Sequence, residues 1–137
     1  MSTLRTNALE GVDAKNSITI VAGAGNITTT NVQEGLAKLW CHLDMNTENT
    51  IDDSLNTSSV TDRATGKVTV TASNAMASIS YTSVGSCWNG GADNYNRGVN
   101  YDNARTTTTT LFVTTKFNDA SLLDGQDVDC INHGDLA

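Results

Sequence analysis

The chain has no proline, only three glutamates, and aromatic residues at just 5% of its 137 positions. Without proline the commonest block on an exposed edge strand is missing, so a small β unit built from this sequence is expected to protect its edges by self-association. Glu10, Glu34 and Glu48 are too few and too scattered to suggest paired acid–base carboxylates, and no nucleophile elbow, HExxH or P-loop occurs. Catalysis is therefore not expected. No apolar run is long enough for a membrane helix, and the N-terminus lacks the basic and apolar regions of a signal peptide. Neither membrane insertion nor Sec export is expected, and synthesis and assembly are placed in a cytoplasm. Positive charge is scarce as well. The formal net charge is −7, and Arg63, Lys67, Arg97, Arg105 and Lys116 are scattered, which argues against a nucleic-acid partner.

What the chain has in quantity is threonine and asparagine, 21 and 15 residues, a composition that favours strands and turns over helices. Val60, Val68, Val70 and Ala72 alternate with Thr61, Lys67, Thr69 and Thr71, the period-two pattern of a sheet with one dry face and one wet face. Asp62 to Gly66 (DRATG) is read as the turn between them, with glycine supplying positive φ. Further strands are expected at 17–21, 55–61, 77–84, 107–117 and 126–131. Along 107–117, Leu111, Val113 and Phe117 fall on one face. Thr110, Phe112, Thr114 and Lys116 fall on the other, where Phe112 hints at a second buried surface between subunits. Val128 and Cys130 are expected to point inward, with Asp127 and Asp129 outward.

Asn31 to Glu34 has capping-box form, and Val32, Leu36, Leu39 and Leu43 follow at spacings of four, three and four. A short helical turn from Asn31 to about Lys38, then a strand to Leu43, is expected. The resulting architecture is all-β: a small antiparallel β-sandwich or jelly-roll head over 31–137, one short helix, and an extended N-terminal attachment arm over 1–30.

Residues 85–105 (GSCWNGGADNYNRGVNYDNAR) are the best candidate for ligand contact. Four glycines and five asparagines surround Trp88, Tyr95 and Tyr101, a mix that supplies broad amphipathic area and adaptable hydrogen bonding and suits a protein surface or a sugar. Trp88, Asn89, Tyr95, Arg97 and Tyr101 are the expected binding residues, though a long loop packed on a neighbouring subunit, or a plain connector, fits the same letters. Asp124 to Asp129 lacks the register and closing glutamate of an EF-hand, so it is read as a turn and strand with solvated carboxylates. Cys41, His42, Cys130 and His133 include no CxxC pair, which leaves zinc without a recognisable site. No metal or cofactor is expected. Three cysteines cannot all pair within one chain and are expected as thiols. Asn56-Thr57-Ser58 fits the glycosylation acceptor pattern, which means little without export.

Three segments carry a family resemblance: EGLAKLW at 34–40, DSLNTSSVTDRATGKVTV at 53–70 and NAMASISY at 74–81. In this order they resemble the repeated module of tail-fibre and related virion proteins of marine tailed bacteriophages. The opening MSTLRTNALEG, followed by NSITIVAGAGNITTTN, is similar to the start of those proteins. Where the family commonly has an Asn-Phe-Asn-Gly turn, this chain has His42-Leu43-Asp44-Met45. The resemblance implies a virion structural protein working as a homotrimer, held to other virion proteins by its N-terminal arm and contacting a host surface glycan or protein. A capsid decoration or head-fibre protein is the alternative.

Overall fold

The computed structural model describes residues 19–22, 28–31, 36–88, 97–101, 105–116 and 119–137. The chain divides into two compact units, Met1–Leu36 and Ala37–Ala137. In the first unit, β1 (Thr19–Ala22) and β2 (Thr28–Asn31) pair antiparallel, Thr19 opposite Asn31. In the second unit, β3 (Ala37–Asp44), β4 (Thr50–Leu55), β5 (Thr57–Ala64), β6 (Lys67–Ala72), β7 (Thr82–Trp88), β8 (Arg97–Tyr101), β9 (Thr109–Lys116) and β10 (Asp127–His133) form one sheet in the order β4-β3-β10-β7-β8-β9-β6-β5. Every pairing is antiparallel. The all-β, antiparallel expectation is met, and the described residues contain no helix.

The two outermost strands are consecutive in sequence, joined by Asn56 alone. The chain bends at that joint, and Asn56 takes φ 56°, a left-handed conformation that asparagine tolerates better than most residues. Its side chain fixes the bend. Nδ2 donates to Lys38 O at 2.9 Å and Asn74 O at 3.1 Å, while Oδ1 accepts from Asn74 N at 2.7 Å. The amide of the Asn56-Thr57-Ser58 acceptor pattern is thus already committed within the fold.

In a flat sheet, β3 and β6 would lie five strand spacings, about 24 Å, apart. Yet Leu39, Cys41 and Leu43 of β3 share one buried cluster with Val68, Val70 and Ala72 of β6, Phe112 of β9, and Val128 and Cys130 of β10. The sheet therefore curls until its two halves close on each other. Thr57 Oγ1, at the start of β5, donates to Trp40 O in β3 at 3.3 Å, and Thr114 Oγ1 of β9 lies 3.8 Å from Met45 Sδ. Hydrogen bonds run through all eight strands of this unit without a break into two sheets.

Four expectations need correcting. Phe112 is 1% exposed and belongs to the main core with Thr110 and Thr114, while Leu111 and Val113 are the outward, half-buried residues. Burial of Phe112 outweighs threonine's preference for water because each buried hydroxyl has a partner: Thr110 Oγ1 bonds Tyr81 and Asn132, and Thr114 Oγ1 donates to Leu123 O. The helical turn is absent at both of its described ends, since Asn31 closes β2 and Ala37 opens β3, and residues 32–35 lie outside the described residues. Strand pairing with β10 and β4 decides the ambiguity of the short apolar run.

The DRATG turn is also shorter than expected. Asp62 and Ala64 remain paired with β6, and Thr65 and Gly66 alone make the reversal, Gly66 at φ 68°. The carboxylate that caps it comes from elsewhere, Asp124 Oδ1 accepting from Gly66 N at 2.6 Å. A Cβ at Gly66 would sit 2.7 Å from Thr114 O, so both conformation and space require glycine there. Finally, the strand expected over 77–84 begins only at Thr82. Met76 bridges to Leu136 and Ala77 N donates to Asp135 O, so this stretch is tied to the C-terminus instead of a ladder.

Candidate functional site

Alternation along β7, β10 and β3 buries one set of side chains and presents the other to solvent, while β4, paired beyond β3, buries none of its residues. On the solvent face the strand register lays out three rows. Trp88 stands opposite Asp127. The next row is Ser86, Asp129, His42 and Asp53, and the third is Val84, Ile131, Trp40 and Leu55. Trp88 is 60% exposed, Val84 53% and Leu55 47%, while Trp40 and Ile131 are half-buried. A carboxylate row is thus bordered on each side by a row bearing a tryptophan.

His42 is the electrostatic centre of this face. Its Nδ1 donates to Asp129 Oδ1 at 2.8 Å, and Nε2 lies 3.6 Å from Asp52 Oδ2 and 3.7 Å from Asp127 Oδ1. The register shifts between His42 and Leu43, leaving Asp52 as the extra residue of β4, and its carboxylate lies beside the imidazole. The hydrogen bond to Asp129 is the main cause holding the His42 pKa above its ordinary value; slight burial opposes it, and the charges of Asp129, Asp52 and Asp127 add to it. Asp129 is shifted the other way. Burial pulls its carboxyl upward, but the hydrogen bonds from His42 and from Ser86 Oγ, at 2.8 Å, keep it below the usual value.

Serine, aspartate and histidine meet here, but in an order that differs from a nucleophilic triad. In a nucleophilic triad the imidazole lies between hydroxyl and carboxylate so that it can take the hydroxyl proton. Here Asp129 lies between Ser86 and His42 and accepts from both. No group of three or more His, Cys, Asp or Glu side chains among the described residues is arranged to hold a metal ion. The cysteines lie on the core side. Cys41 stands opposite Cys130, and no disulfide joins any of the three. Burial pushes the Cys41 thiol up to about 11 and the Cys130 thiol well above the ordinary range, as expected for unreactive core thiols.

Among its described residues, 85–88, 97–101 and 105, the expected binding loop is mostly strand. Gly85 to Trp88 complete β7 against β10, and Arg97 to Tyr101 form β8 between β7 and β9. Glycine and asparagine read as loop in isolation, but neighbouring ladders on both sides supply what local propensity lacks. Of the five expected site residues, Trp88 ends β7 on the solvent face. Arg97 stands opposite Cys87 and Lys116, and Tyr101 opposite Phe112. Asn89 and Tyr95 lie outside the described residues. Sequence reasoning misses Trp40, His42, Asp52 and Asp129 as a group. The alternation of Trp40, His42 and Asp44 against Leu39, Cys41 and Leu43 is the available signal, but the partners come from other strands, and Asp129 is far away in sequence.

These observations define an all-β domain with an amphipathic, carboxylate-rich sheet face. Comparison with known proteins finds no matching family model, no matching curated protein and no matching solved structure.

Proposed function

We propose that the chain is a structural protein of a phage virion, a short tail fibre or tip protein that contacts the host cell surface by non-covalent recognition. In this reading the second unit is a sandwich-like head made by one sheet curled across itself, residues 1–30 are the arm that attaches it to other virion proteins, and the working form is a homotrimer without enzymatic activity. The resemblance over residues 34–81 supports the virion class. The observation that carries the recognition role is Trp88, 60% exposed at the end of β7 and directly followed by Asn89. A bare indole in water is poorly used unless something covers it, and beside Asp127 it offers both a stacking face and hydrogen-bond acceptors. Three copies of a weak site would then act together through effective concentration.

Replacing Trp88 with Ala tests this in the virion. Loss of one aromatic anchor typically removes about 1–3 kcal/mol, so host adsorption should weaken by roughly five- to 150-fold per site. Unchanged adsorption by virions that still display the folded head would sink the receptor role. The capsid decoration or head-fibre reading would then take its place. That reading draws support from the separate first unit with its own hairpin, which fits a piece that lies along another protein.

A further inference from the structure

Charge is segregated on the solvent side of the curled sheet. The ion pairs between described residues all involve His42, which faces Asp52, Asp127 and Asp129 at once. On the other half, Arg63 and Lys67 form no ion pair with a described residue. Arg63 Nε donates to Thr69 Oγ1 at 3.0 Å, which lays the arginine across β6 and explains why Thr69, an outward position, is 6% exposed. Beside them, Lys67 stands opposite Val113 and Thr69 opposite Leu111, and both Val113 and Leu111 are half-buried on the outer side of β9.

The two halves are therefore complementary in kind. One carries carboxylates in excess over a single imidazole, next to Trp40, Ile131, Val84 and Leu55. The other carries a guanidinium and an ammonium next to Leu111 and Val113. Both are amphipathic and opposite in net sign, even with the exposed Asp62 on β5 and the buried Lys38 on β3 counted.

We propose that copies of this chain associate head to tail, the β4-β3-β10-β7 face of one copy seating the Arg63, Lys67, Leu111 and Val113 face of the next. Arg63 and Lys67 come to the Asp127, Asp129 and Asp52 carboxylates, and the two valine- and leucine-bearing surfaces meet beside them. The contact is heterologous, so it propagates from copy to copy until a ring closes. The net charge of −7 opposes any such assembly. Salt screens that long-range repulsion beyond about 10 Å at 0.1 M, whereas the paired groups at contact are screened less. This arrangement rests on the oligomer proposed above and specifies its interface, and its test separates the two ideas.

Sedimentation velocity on the full chain at micromolar concentrations measures both. The wild type should exceed monomer mass, and Asp127→Lys with Asp129→Lys, or Arg63→Glu with Lys67→Glu, should each weaken association by about tenfold or more. All four substitutions in one chain restore opposite charges across the contact and should recover association. The neutral pairs Asp127→Asn/Asp129→Asn and Arg63→Gln/Lys67→Gln provide milder variants in case a reversal disturbs folding, and they should weaken association in the same direction. An oligomer that persists at wild-type strength in the reversed and neutral variants would overturn this interface while leaving self-association intact. A wild-type chain that stays monomeric would overturn both, and so would overturn the trimer. Failure of the fourfold variant to recover association, with its β circular dichroism intact, would also refute the pairing.

Discussion

Strands β3, β10 and β7, with β4 at their edge, and strands β9, β6 and β5 enclose the same core, but their solvent faces have little in common. Both inner faces follow one rule, with Leu39, Cys41, Leu43, Val128 and Cys130 meeting Val68, Val70, Ala72 and Phe112. Outside, the first half shows two tryptophans, a histidine and a concentration of aspartates, whereas the second shows threonines with Arg63, Lys67, Leu111 and Val113. Packing constrains the interior alike on both sides. It says nothing about the exterior, so the asymmetry there is where a binding role has to be sought.

The inner–outer division is broken most severely at Phe112. Phe112→Ala should lower stability to urea by about 3–5 kcal/mol, since the ring leaves a cavity among residues of both halves. Leu111→Ala, one residue along on the outer side, should cost less than about 1.5 kcal/mol in the same measurement. Equal losses would mean that the two faces of β9 are wrongly assigned.

A second way to sharpen the comparison is the polar seam that joins the halves inside. Tyr81 Oη bonds Thr110 Oγ1 at 2.8 Å, Asn132 Nδ2 donates to Thr110 Oγ1 at 3.0 Å, and Ser83 Oγ donates to Asn132 Oδ1 at 2.7 Å. Asn132→Ala leaves two buried hydroxyls with fewer partners and should cost about 1–3 kcal/mol. If the loss is under about 0.5 kcal/mol, water must already reach the seam.

Much of this architecture is legible in the sequence and some cannot be. Val68, Val70, Val128 and Cys130 follow a period of two, and the structure buries them as that period implies. Phe112 misleads because its strand alternates threonine with Leu111 and Val113, and hydropathy alone favours the wrong face. Only the partners Tyr81, Asn132 and Leu123 make buried threonines acceptable, and they come from outside the strand. The His42 cluster is hidden for a related reason. Asp127 and Asp129 are more than eighty residues away along the chain, and β10 reaches β3 only because it inserts between β3 and β7. Trp88 stands out because its signal is local.

The covalent joint between the halves gives a third test. Asn56→Gly keeps the left-handed backbone but loses the bonds to Lys38 O and to Asn74, whereas Asn56→Ala loses those bonds and also strains φ. Thermal or urea unfolding should place alanine below glycine by about 1 kcal/mol, with both below the wild type. The reverse order would show that the joint relaxes and that the side-chain bonds alone hold it.

The smallest effect is also the one that reads the acidic face most directly. Because the folded His42 pKa is raised, its charged form stabilises the fold fully below the unfolded value of 6.5, and that contribution disappears as pH rises through the folded value. The imidazole is largely solvated, so the loss in wild-type stability should stay under about 1 kcal/mol and should vanish in His42→Gln. The proposed association between copies should have the opposite dependence. Protonated His42 offsets the charges of Asp52, Asp127 and Asp129, with Asp53 beside them, so the acidic face attracts Arg63 and Lys67 more strongly once the proton has left. Raising pH through the His42 titration should therefore slightly weaken the fold while tightening the assembly, and His42→Gln should flatten both curves. Two curves that move in the same direction would mean that the imidazole and the basic face do not compete for the same carboxylates.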